Sequence, residues 1–284
     1  MSRTTNVGKR TTGSERTACC PGASVDCCPE QSARVTDPTT ASADAIKRAV
    51  RESYANRIRT PRRSSCCGPE ASAAQRKGYT AEQLEGLPEE LHNSTYGCGN
   101  PVAFSDVQEG QAVLDIGSGA GLDAFLAAKQ VGPQGKVVGL DMTPEMIETA
   151  TRNAERAGIT NVEFRLGDAE SMPVGDATCD WIISNCVINL APDKGKVFAE
   201  AFRVLKPGGR LMVSDIVTHD LPDYIRRDMA AWAGCIGGAL EEEEYLDAIR
   251  GAGFEDVRIV GKVAYGGAEL AGRASSVRVS AVKP

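Results

Sequence analysis

Long apolar segments are missing from this sequence of 284 residues. No apolar run approaches the roughly 18–20 residues that a membrane-spanning helix needs, and the N-terminus lacks the apolar core of a secretory signal. We therefore expect a cytoplasmic protein with no membrane partner. The formal net charge is −6, which argues against nucleic acid as the main partner because phosphate backbones attract basic proteins.

Histidine is also scarce, and no two cysteines have the C-x-x-C spacing that is typical of zinc sites. We expect both histidines, His92 and His219, to be surface or structural residues. The chain nevertheless contains ten cysteines. These are Cys19, Cys20, Cys27, Cys28, Cys66, Cys67, Cys98, Cys179, Cys186 and Cys235. Thiols of a chain without a secretion signal are expected to stay reduced, so the cysteines favour soft-ion binding or catalysis over a disulfide framework.

Four regions are predicted from composition and patterning. Residues 1–41 have almost no large apolar side chains and are expected to form a disordered, cysteine-containing tail. Residues 42–111 are expected to form N-terminal helices and a lid, with Ser42 as a helix N-cap. Residues 112–215 are expected to form the ligand-binding domain, and residues 216–284 a smaller α+β extension lying on its sheet.

Alternating strands and helices are predicted from residue 112 onward. The strands are AVLDI (112–116), KVVGL (136–140), NVEFR (161–165), DWIIS (180–184) and RLMVS (210–214). The helices cover about 121–131, 144–157 and 193–205. A helix with Trp232 and Cys235, a helix over 241–250 and strands at 256–260 and 276–282 follow. Helical crossovers imply a mostly parallel sheet covered on both faces, which is a Rossmann-like doubly wound α/β fold.

A glycine-rich loop, VLDIGSGAG (113–121), follows the first strand and begins a helix. Its glycines have the spacing G-x-G-x-G, whereas a dinucleotide-binding loop has G-x-G-x-x-G. Asp141 ends the second strand and Asp168 follows the third. Ligands of doubly wound sheets bind at the carboxyl ends of the strands, so the loop and the two acids are expected to share one site.

This loop, the two acids and KPGGR (206–210) resemble, in that order, the motifs of class I S-adenosylmethionine-dependent methyltransferases. The resemblance implies that S-adenosyl-L-methionine is the cofactor. Asp141 would then accept hydrogen bonds from the ribose hydroxyls, and Asp168 would contact the adenine amine. The residues expected to bind the cofactor are Asp115, Gly117, Gly119, Gly121, Asp141, Met142, Asp168, Ala169 and Asn185.

Three cysteines lie in distinct motifs, YGCGNP (96–101), SNCVINL (184–190) and CIGGA (235–239). With the pair at 66–67, these motifs are similar to those of the arsenite S-adenosylmethionine methyltransferases. The similarity extends from about residue 45 to residue 253. It implies methyl transfer to arsenite and then methylarsenite for arsenic detoxification.

The same resemblance assigns roles to individual thiols. Cys98, Cys186 and Cys235 would bind trivalent arsenic, and Cys66 or Cys67 would take part in thiol–disulfide exchange during the reaction. Thioredoxin or glutathione is the implied reductant, and we expect a monomer. Soft thiolates suit trivalent arsenic. Arsenic bound to three sulfurs keeps a lone pair, so no general base is required.

Other interpretations stay open at this point. The chain could methylate another small molecule, such as a quinone precursor or a sterol-like lipid. It could also be a thiol protein that sequesters metalloid without catalysis, or an NAD-linked oxidoreductase, which the glycine spacing disfavours. Cys179 matches no motif and is expected to be structural, on the side opposite the site. The tail cysteines either capture metalloid for delivery or are dispensable.

Overall fold

The computed structural model describes residues 35–60, 71–267, 270 and 272–284. The disorder expected for residues 1–34 and the loop expected to carry Cys66 and Cys67 lie outside the described residues. No helix among the residues that are described is long and apolar enough to cross a membrane.

Residues 35–41, expected to belong to the disordered tail, form a turn instead. Asp37 Oδ1 accepts hydrogen bonds from the backbone N–H of Thr39 at 2.9 Å and from its hydroxyl at 2.6 Å. Ala41 packs against a hydrophobic cluster of the core. This correction has a local cause, because an aspartate that accepts from the residue two positions later stabilises a turn without large apolar side chains.

In the parts of residues 35–111 that the structure describes, four α-helices precede the sheet. They are α1 (Ala43–Arg59), α2 (Ala73–Arg76), α3 (Ala81–Leu84) and α4 (Glu89–Asn93). Ser42 caps α1 as predicted, because its side chain accepts a hydrogen bond from the N–H of Ala45. Thr80 caps α3 through a reciprocal capping box with Gln83. Ile46 and Val50 are buried, so the apolar side of α1 faces the core.

Seven strands form one sheet with the order β3-β2-β1-β4-β5-β7-β6. They are β1 (Ala112–Ile116), β2 (Lys136–Asp141), β3 (Val162–Leu166), β4 (Cys179–Asn185), β5 (Leu205–Thr218), β6 (Glu255–Ala264) and β7 (Ala274–Val282). The first five strands pair in parallel, and β7 pairs antiparallel with both β5 and β6. The predicted doubly wound α/β fold with a mostly parallel sheet is confirmed.

Within the described residues, six more α-helices follow β1. They are α5 (Leu122–Val131), α6 (Pro144–Ala157), α7 (Lys194–Val204), α8 (Asp223–Arg226), α9 (Met229–Ala233) and α10 (Glu242–Gly251). The helix expected to contain Cys235 is wrong in one respect. The helix α9 ends at Ala233, and Cys235 has a left-handed φ of 67°, which no α-helical residue adopts.

The C-terminal strands also differ from expectation. They continue the sheet rather than lying on it, because β7 pairs with β5 over nine residues, from Ala274 to Val282. This long antiparallel pairing extends β5 well beyond the predicted 210–214, to Thr218. The expected boundary at residue 215 therefore lies inside β5.

The strand order positions the site. The chain runs outward from β1 to β2 and β3 on one side and to β4 and β5 on the other. The carboxyl ends of β1 and β4 are therefore adjacent at the point where the strand order reverses. In doubly wound sheets, helices diverge at such a point and leave a crevice for a ligand.

Candidate functional site

A cavity with about 980 Å³ of empty space, open to solvent, lies at the carboxyl ends of β1, β2 and β4. Side chains of α1 and of residues 94–97 form its other walls. Seven of the nine residues expected to bind a cofactor line it. They are Gly117, Gly119, Asp141, Met142, Asp168, Ala169 and Asn185. The structure thus brings together most of the residues that the sequence placed far apart.

The three glycines of the loop are required for different reasons. Gly119 has a φ of 53°, and a Cβ there would have no atom within 4 Å, so its backbone borders open space in the cavity. A Cβ on Gly117 would lie 2.2 Å from a methyl carbon of Val187. Gly121, the N-cap of α5 with φ 101°, does not line the cavity, and a Cβ there would clash with Phe125 at 2.7 Å.

Asp115, the other predicted residue outside the cavity wall, is completely buried behind the loop. One of its carboxylate oxygens is buried without a hydrogen-bond partner. Burial raises the pKa of Asp115 well above its ordinary value, and the carboxylates of Asp123 and Asp141 raise it further. Asp115 therefore supports the loop from behind, and its contact with a cofactor stays a prediction.

Asp141 is held at the cavity wall by backbone donors. Its Oδ2 accepts from the N–H of Gly119 at 3.0 Å, and its Oδ1 accepts from the N–H of Thr143 at 2.8 Å. Burial raises the pKa of this carboxyl despite these hydrogen bonds. Because a carboxylate has about four acceptor positions, Asp141 retains acceptor capacity for hydroxyl groups of a ligand.

Sequence reasoning missed Lys47, which reaches across the cavity from α1. Its Nζ donates to Asp168 Oδ2 at 2.6 Å and to Glu170 Oε2 at 2.7 Å. Burial tends to lower the pKa of Lys47, but the hydrogen bonds to the two carboxylates raise it above its ordinary value. No sequence pattern could have revealed this contact, because Lys47 and Asp168 are 121 positions apart.

Asn185 ends β4 and holds the loop that carries Cys98. Its side-chain oxygen accepts from the N–H of Cys98 at 3.0 Å and of Gly99 at 3.2 Å. Its amide nitrogen donates to Tyr79 Oη at 2.9 Å and to Asp123 Oδ2 at 3.0 Å. A residue that was expected to touch the cofactor therefore also fixes a thiol-bearing loop.

Both glycines beside Cys98 allow their loop to lie close against β4 and β5. A Cβ on Gly97 would lie 2.2 Å from the side chain of Asn185. A Cβ on Gly99 would lie 2.2 Å from the hydroxyl oxygen of Ser214 in β5. Larger residues would thus push the Cys98 loop away from the sheet, and the Y-G-C-G-N sequence has a direct steric explanation.

Three of the predicted cysteines converge. Cys186 and Cys235 belong to one hydrophobic cluster, which also includes Ile46 and Val50 of α1, and the partly buried Cys98 packs against it. The neighbouring thiols of Cys235 and Cys98 raise the pKa of Cys186 well above its ordinary value, and burial adds to the effect. The Cys186 thiol is therefore central to the group, and Cys186 also lines the cavity.

The backbone at two of these cysteines is unusual. Cys186 has φ 63° and Cys235 has φ 67°, which is the left-handed region that non-glycine residues seldom occupy. The two residues are also in direct contact, because Cys235 Sγ donates to the backbone carbonyl oxygen of Cys186 at 2.8 Å. Such conformations persist only where surrounding structure enforces them, and they cluster at functional sites.

The thiols are close but not already arranged as a metal-ion site. Across the described parts of the chain, no group of three or more histidine, cysteine, aspartate or glutamate side chains is placed to hold a metal ion. A soft ion bound by all three thiols would therefore have to draw their sulfurs inward. The half-buried Cys98 lies on a loop, whereas Cys186 and Cys235 are buried.

The cysteine and the two histidines that were expected to have structural roles lie away from the three clustered cysteines. Cys179 is buried at the first position of β4, whereas Asn185 ends that strand. Seven residues of strand separate these ends by roughly 20 Å, so Cys179 lies on the opposite side as expected. Neither His92 nor His219 lines the cavity, and the side chain of His219 is 79% exposed.

Comparison with known proteins gives consistent matches. Residues 108–253 match the family model described as a methyltransferase domain. The chain is 46% identical over 200 residues to an arsenite methyltransferase of Halobacterium salinarum and 40% identical over 205 residues to one of Aquipseudomonas alcaligenes. Both matches cover 69% of this chain, and they cover 51% and 58% of those proteins. The chain thus spans little more than half the length of these curated relatives.

A solved structure is similar as well. The arsenic(III) S-adenosylmethionine methyltransferase of Chlamydomonas reinhardtii is 34% identical, with a TM-score of 0.63. The similarity covers 75% of this chain and 74% of that one. It includes most of the structure on both sides, so the likeness extends beyond a shared cofactor fold.

Proposed function

Since this chain belongs to the arsenite S-adenosylmethionine methyltransferases, a family of class I methyltransferases, we propose that it methylates arsenite and then methylarsenite. The observation that carries this proposal is that Cys186 lies both in the cysteine cluster and on the wall of the cavity. It lies in the same hydrophobic cluster as Cys235, against which Cys98 packs, and it also lines the cavity formed by the glycine loop. A thiol-bound substrate would thus adjoin a cofactor in that cavity. We further propose that the activity serves arsenic detoxification.

The cavity has features that fit S-adenosyl-L-methionine. Gly119 leaves open space at the backbone, and Asp141 offers a fixed carboxylate to hydroxyl groups. Asp168 offers a second carboxylate on the cavity wall, and Met142 and Ala169 add apolar surface. When bound, the cofactor supplies an electrophilic methyl group on a positively charged sulfur. The residues of this chain would orient that group toward the thiols.

The three cysteines would hold arsenic by exchange of oxygen for sulfur. Each thiol forms one As–S bond, one As–OH bond of arsenite breaks, and the thiol proton leaves with the hydroxide as water. Coordination thus removes the proton from Cys186, although its pKa as a free thiol is raised. The second and third attachments are intramolecular, so a three-thiol site binds far more tightly than one thiol.

Methyl transfer then depends on alignment rather than proton transfer. Arsenic bound to three sulfurs retains its lone pair, which is the nucleophile, and no hydrogen on arsenic has to be removed. This requirement agrees with a site that neither histidine lines. The strained backbone at Cys186 and Cys235 fixes two of the sulfurs, and positioning of this kind is a major source of rate acceleration.

The reaction needs electrons from thiols. Methylation of arsenic raises its oxidation state from three to five. A fourth thiolate attacking one arsenic-bound sulfur would form a disulfide and return arsenic to the trivalent state, with a methyl group and two thiolates left on it. We propose Cys66 or Cys67 as the fourth thiol and thioredoxin or glutathione as the reductant that regenerates it. The monomeric state and the cytoplasmic location remain predictions.

The test is a methyl-transfer assay on the full chain. Conversion of S-adenosylmethionine to S-adenosylhomocysteine should require arsenite and a thiol reductant, and methylated arsenic should form in step with it. A quinone-precursor methyltransferase would show no dependence on arsenite. A non-catalytic sequestering protein would bind arsenite without consuming the cofactor. Either result would reject the proposed function.

A further inference from the structure

Tyr54, on α1, contacts one of the three clustered cysteines. Its phenolic oxygen lies 3.8 Å from Cys235 Sγ, which is within hydrogen-bond range for sulfur. Its ring packs edge-to-face against Tyr96 with 5.8 Å between centroids, and the guanidinium of Arg57 lies 4.7 Å above it. The ring is therefore held by contacts that do not involve the hydroxyl.

The hydrogen-bonding role of Cys235 reverses when its proton is lost. As a thiol, Cys235 donates to the carbonyl oxygen of Cys186 at 2.8 Å. Once an As–S bond replaces the S–H bond, the sulfur can only accept hydrogen bonds. The phenol of Tyr54 carries an O–H donor and lies 3.8 Å from that sulfur, so it can donate a hydrogen bond to it.

We propose that Tyr54 is a positioning residue for the arsenic site, donating a hydrogen bond to the arsenic-bound sulfur of Cys235. The inference rests on the proposed function, because it concerns the ligands of the same substrate. No bond of Tyr54 forms or breaks during the reaction. Its hydroxyl replaces the lost interaction with Cys186 and keeps the Cys235 sulfur directed at arsenic.

The helix that carries Tyr54 is fixed next to both halves of the site. Arg57 donates to the carbonyl oxygen of Ala233, two residues before Cys235, at 3.1 Å. Lys47, seven residues before Tyr54, lies on the same side of α1 and binds Asp168 at 2.6 Å. The position of the Tyr54 hydroxyl is therefore set by contacts on the thiol side and on the cofactor side of the cavity.

The substitution Tyr54→Phe tests this role, because it removes the hydroxyl and keeps the ring. The dissociation constant for arsenite, measured by calorimetry on the full reduced chain, should rise about two- to tenfold, as expected for loss of one hydrogen bond to an uncharged sulfur. The dissociation constant for S-adenosylmethionine and the melting temperature should stay at the parental values. Tyr224→Phe is the matched control, because Tyr224 is 64% exposed.

A double-mutant cycle separates positioning from general structure. The cycle uses methylarsenite, which needs only two thiols; in a Cys235→Ser background Cys98 and Cys186 still supply two, so a weaker affinity remains measurable. In that background, Tyr54→Phe should have no further effect, because the sulfur to which the hydroxyl donates is absent. An equal loss in both backgrounds would mean that Tyr54 acts through packing, and it would overturn the proposal.

Two other outcomes are distinguishable. If the parent binds and methylates arsenite but Tyr54→Phe retains parental arsenite affinity, this inference fails and the proposed function stands. If the parent chain neither binds nor methylates arsenite, the proposed function and this inference fail together.

Discussion

The Cys235 thiol donates a hydrogen bond to the backbone carbonyl oxygen of Cys186, with 2.8 Å between sulfur and oxygen. Both residues have left-handed backbone conformations, so the contact joins two strained positions on separate segments. The segment after β4 and the segment after α9 are thereby held together at the cavity. A ligand that takes the proton of Cys235 has to replace this interaction.

The three thiols can be tested individually. We expect Cys98→Ser, Cys186→Ser and Cys235→Ser each to lower the rate of arsenite methylation by about a hundredfold or more, because oxygen is a harder and poorer ligand for arsenic. Affinity for S-adenosylmethionine should persist. Cys179→Ala is the control, since Cys179 lies at the far end of β4. Full activity of Cys186→Ser and Cys235→Ser would place the arsenic site elsewhere.

The second methylation should depend less on Cys98. Methylarsenite leaves two positions for thiols, and the buried pair Cys186 and Cys235 has the more constrained backbone. We therefore expect Cys98→Ser to methylate methylarsenite at a rate within about threefold of the parent, a change below about 1 kcal/mol in barrier. The assay follows formation of dimethylated arsenic. A loss as large as that with arsenite would show that all three thiols are needed for both steps.

The carboxylate of Asp141 provides a test of the cofactor site. We expect Asp141→Ala to raise the dissociation constant for S-adenosylmethionine about tenfold or more, because hydrogen bonds to a charged group contribute about 1.5–3 kcal/mol. Calorimetry with the purified variant measures this change. Asp247→Ala, at an exposed position of α10, should bind as the parent does. Unchanged affinity in a folded Asp141→Ala variant would contradict the assigned contact.

Asn185 is expected to matter for stability and for arsenic binding together. Asn185→Ala removes its contacts with the Cys98 loop, Tyr79 and Asp123, and we expect the free energy of unfolding to fall by about 2–4 kcal/mol. Urea denaturation measures the loss, and arsenite affinity should fall in conditions where the variant is folded. Asn161→Ala removes side-chain hydrogen bonds to Ala128 and Gly132. The Asn161→Ala variant should have a lower free energy of unfolding than the parent but the same affinity for arsenite. Equal arsenite affinity in both variants would contradict the role of Asn185.

The buried carboxyl of Asp215 predicts a specific pH dependence. Burial raises its pKa to about 6, although the N–H of Ile216 and the hydroxyl of Tyr245 donate to it. Because the folded pKa lies above the ordinary 3.8, the folded state binds more protons between these values, and stability falls as pH rises from about 4 to 6. The contribution lost by neutral pH is up to about 3 kcal/mol.

The variant Asp215→Asn should lack this effect. Its free energy of unfolding, relative to the parent, should rise as the pH is raised from about 4 to 7. Denaturant titrations at several pH values give the comparison, and the exposed Asp247→Asn should show no such trend. A difference between Asp215→Asn and the parent that is constant over this range would refute the prediction.

Regular elements were predictable where the signal is local. The five parallel strands, the caps at Ser42 and Thr80 and the glycine loop all follow from patterns within a few residues. The α9 boundary was not predictable in this way. Cys235 is placed by packing and by its contact with Cys186, which overrides the helical pattern around Trp232. Strand β7 joined the sheet for a similar reason, since its partner β5 is distant in sequence.

Site residues were likewise predictable where the signal is local and not where it depends on contacts between distant parts of the chain. Asp141 and Asp168 were expected from their positions after strands, and they line the cavity. Lys47 and Tyr54 were not identified as site residues, because their partners Asp168 and Cys235 lie 121 and 181 positions away. The burial of Asp115 behind the loop likewise depends on the final packing and not on the motif.

The close fit of the Cys98 loop restricts how this protein can change during evolution. Gly97 faces Asn185 and Gly99 faces Ser214, each with room for hydrogen but not for a methyl group. A mutation of either glycine would be tolerated only after the opposing strand end had become smaller, and a smaller residue at 185 would release the loop. The loop and the ends of β4 and β5 therefore have to evolve as one unit, whereas distant surface positions can vary independently.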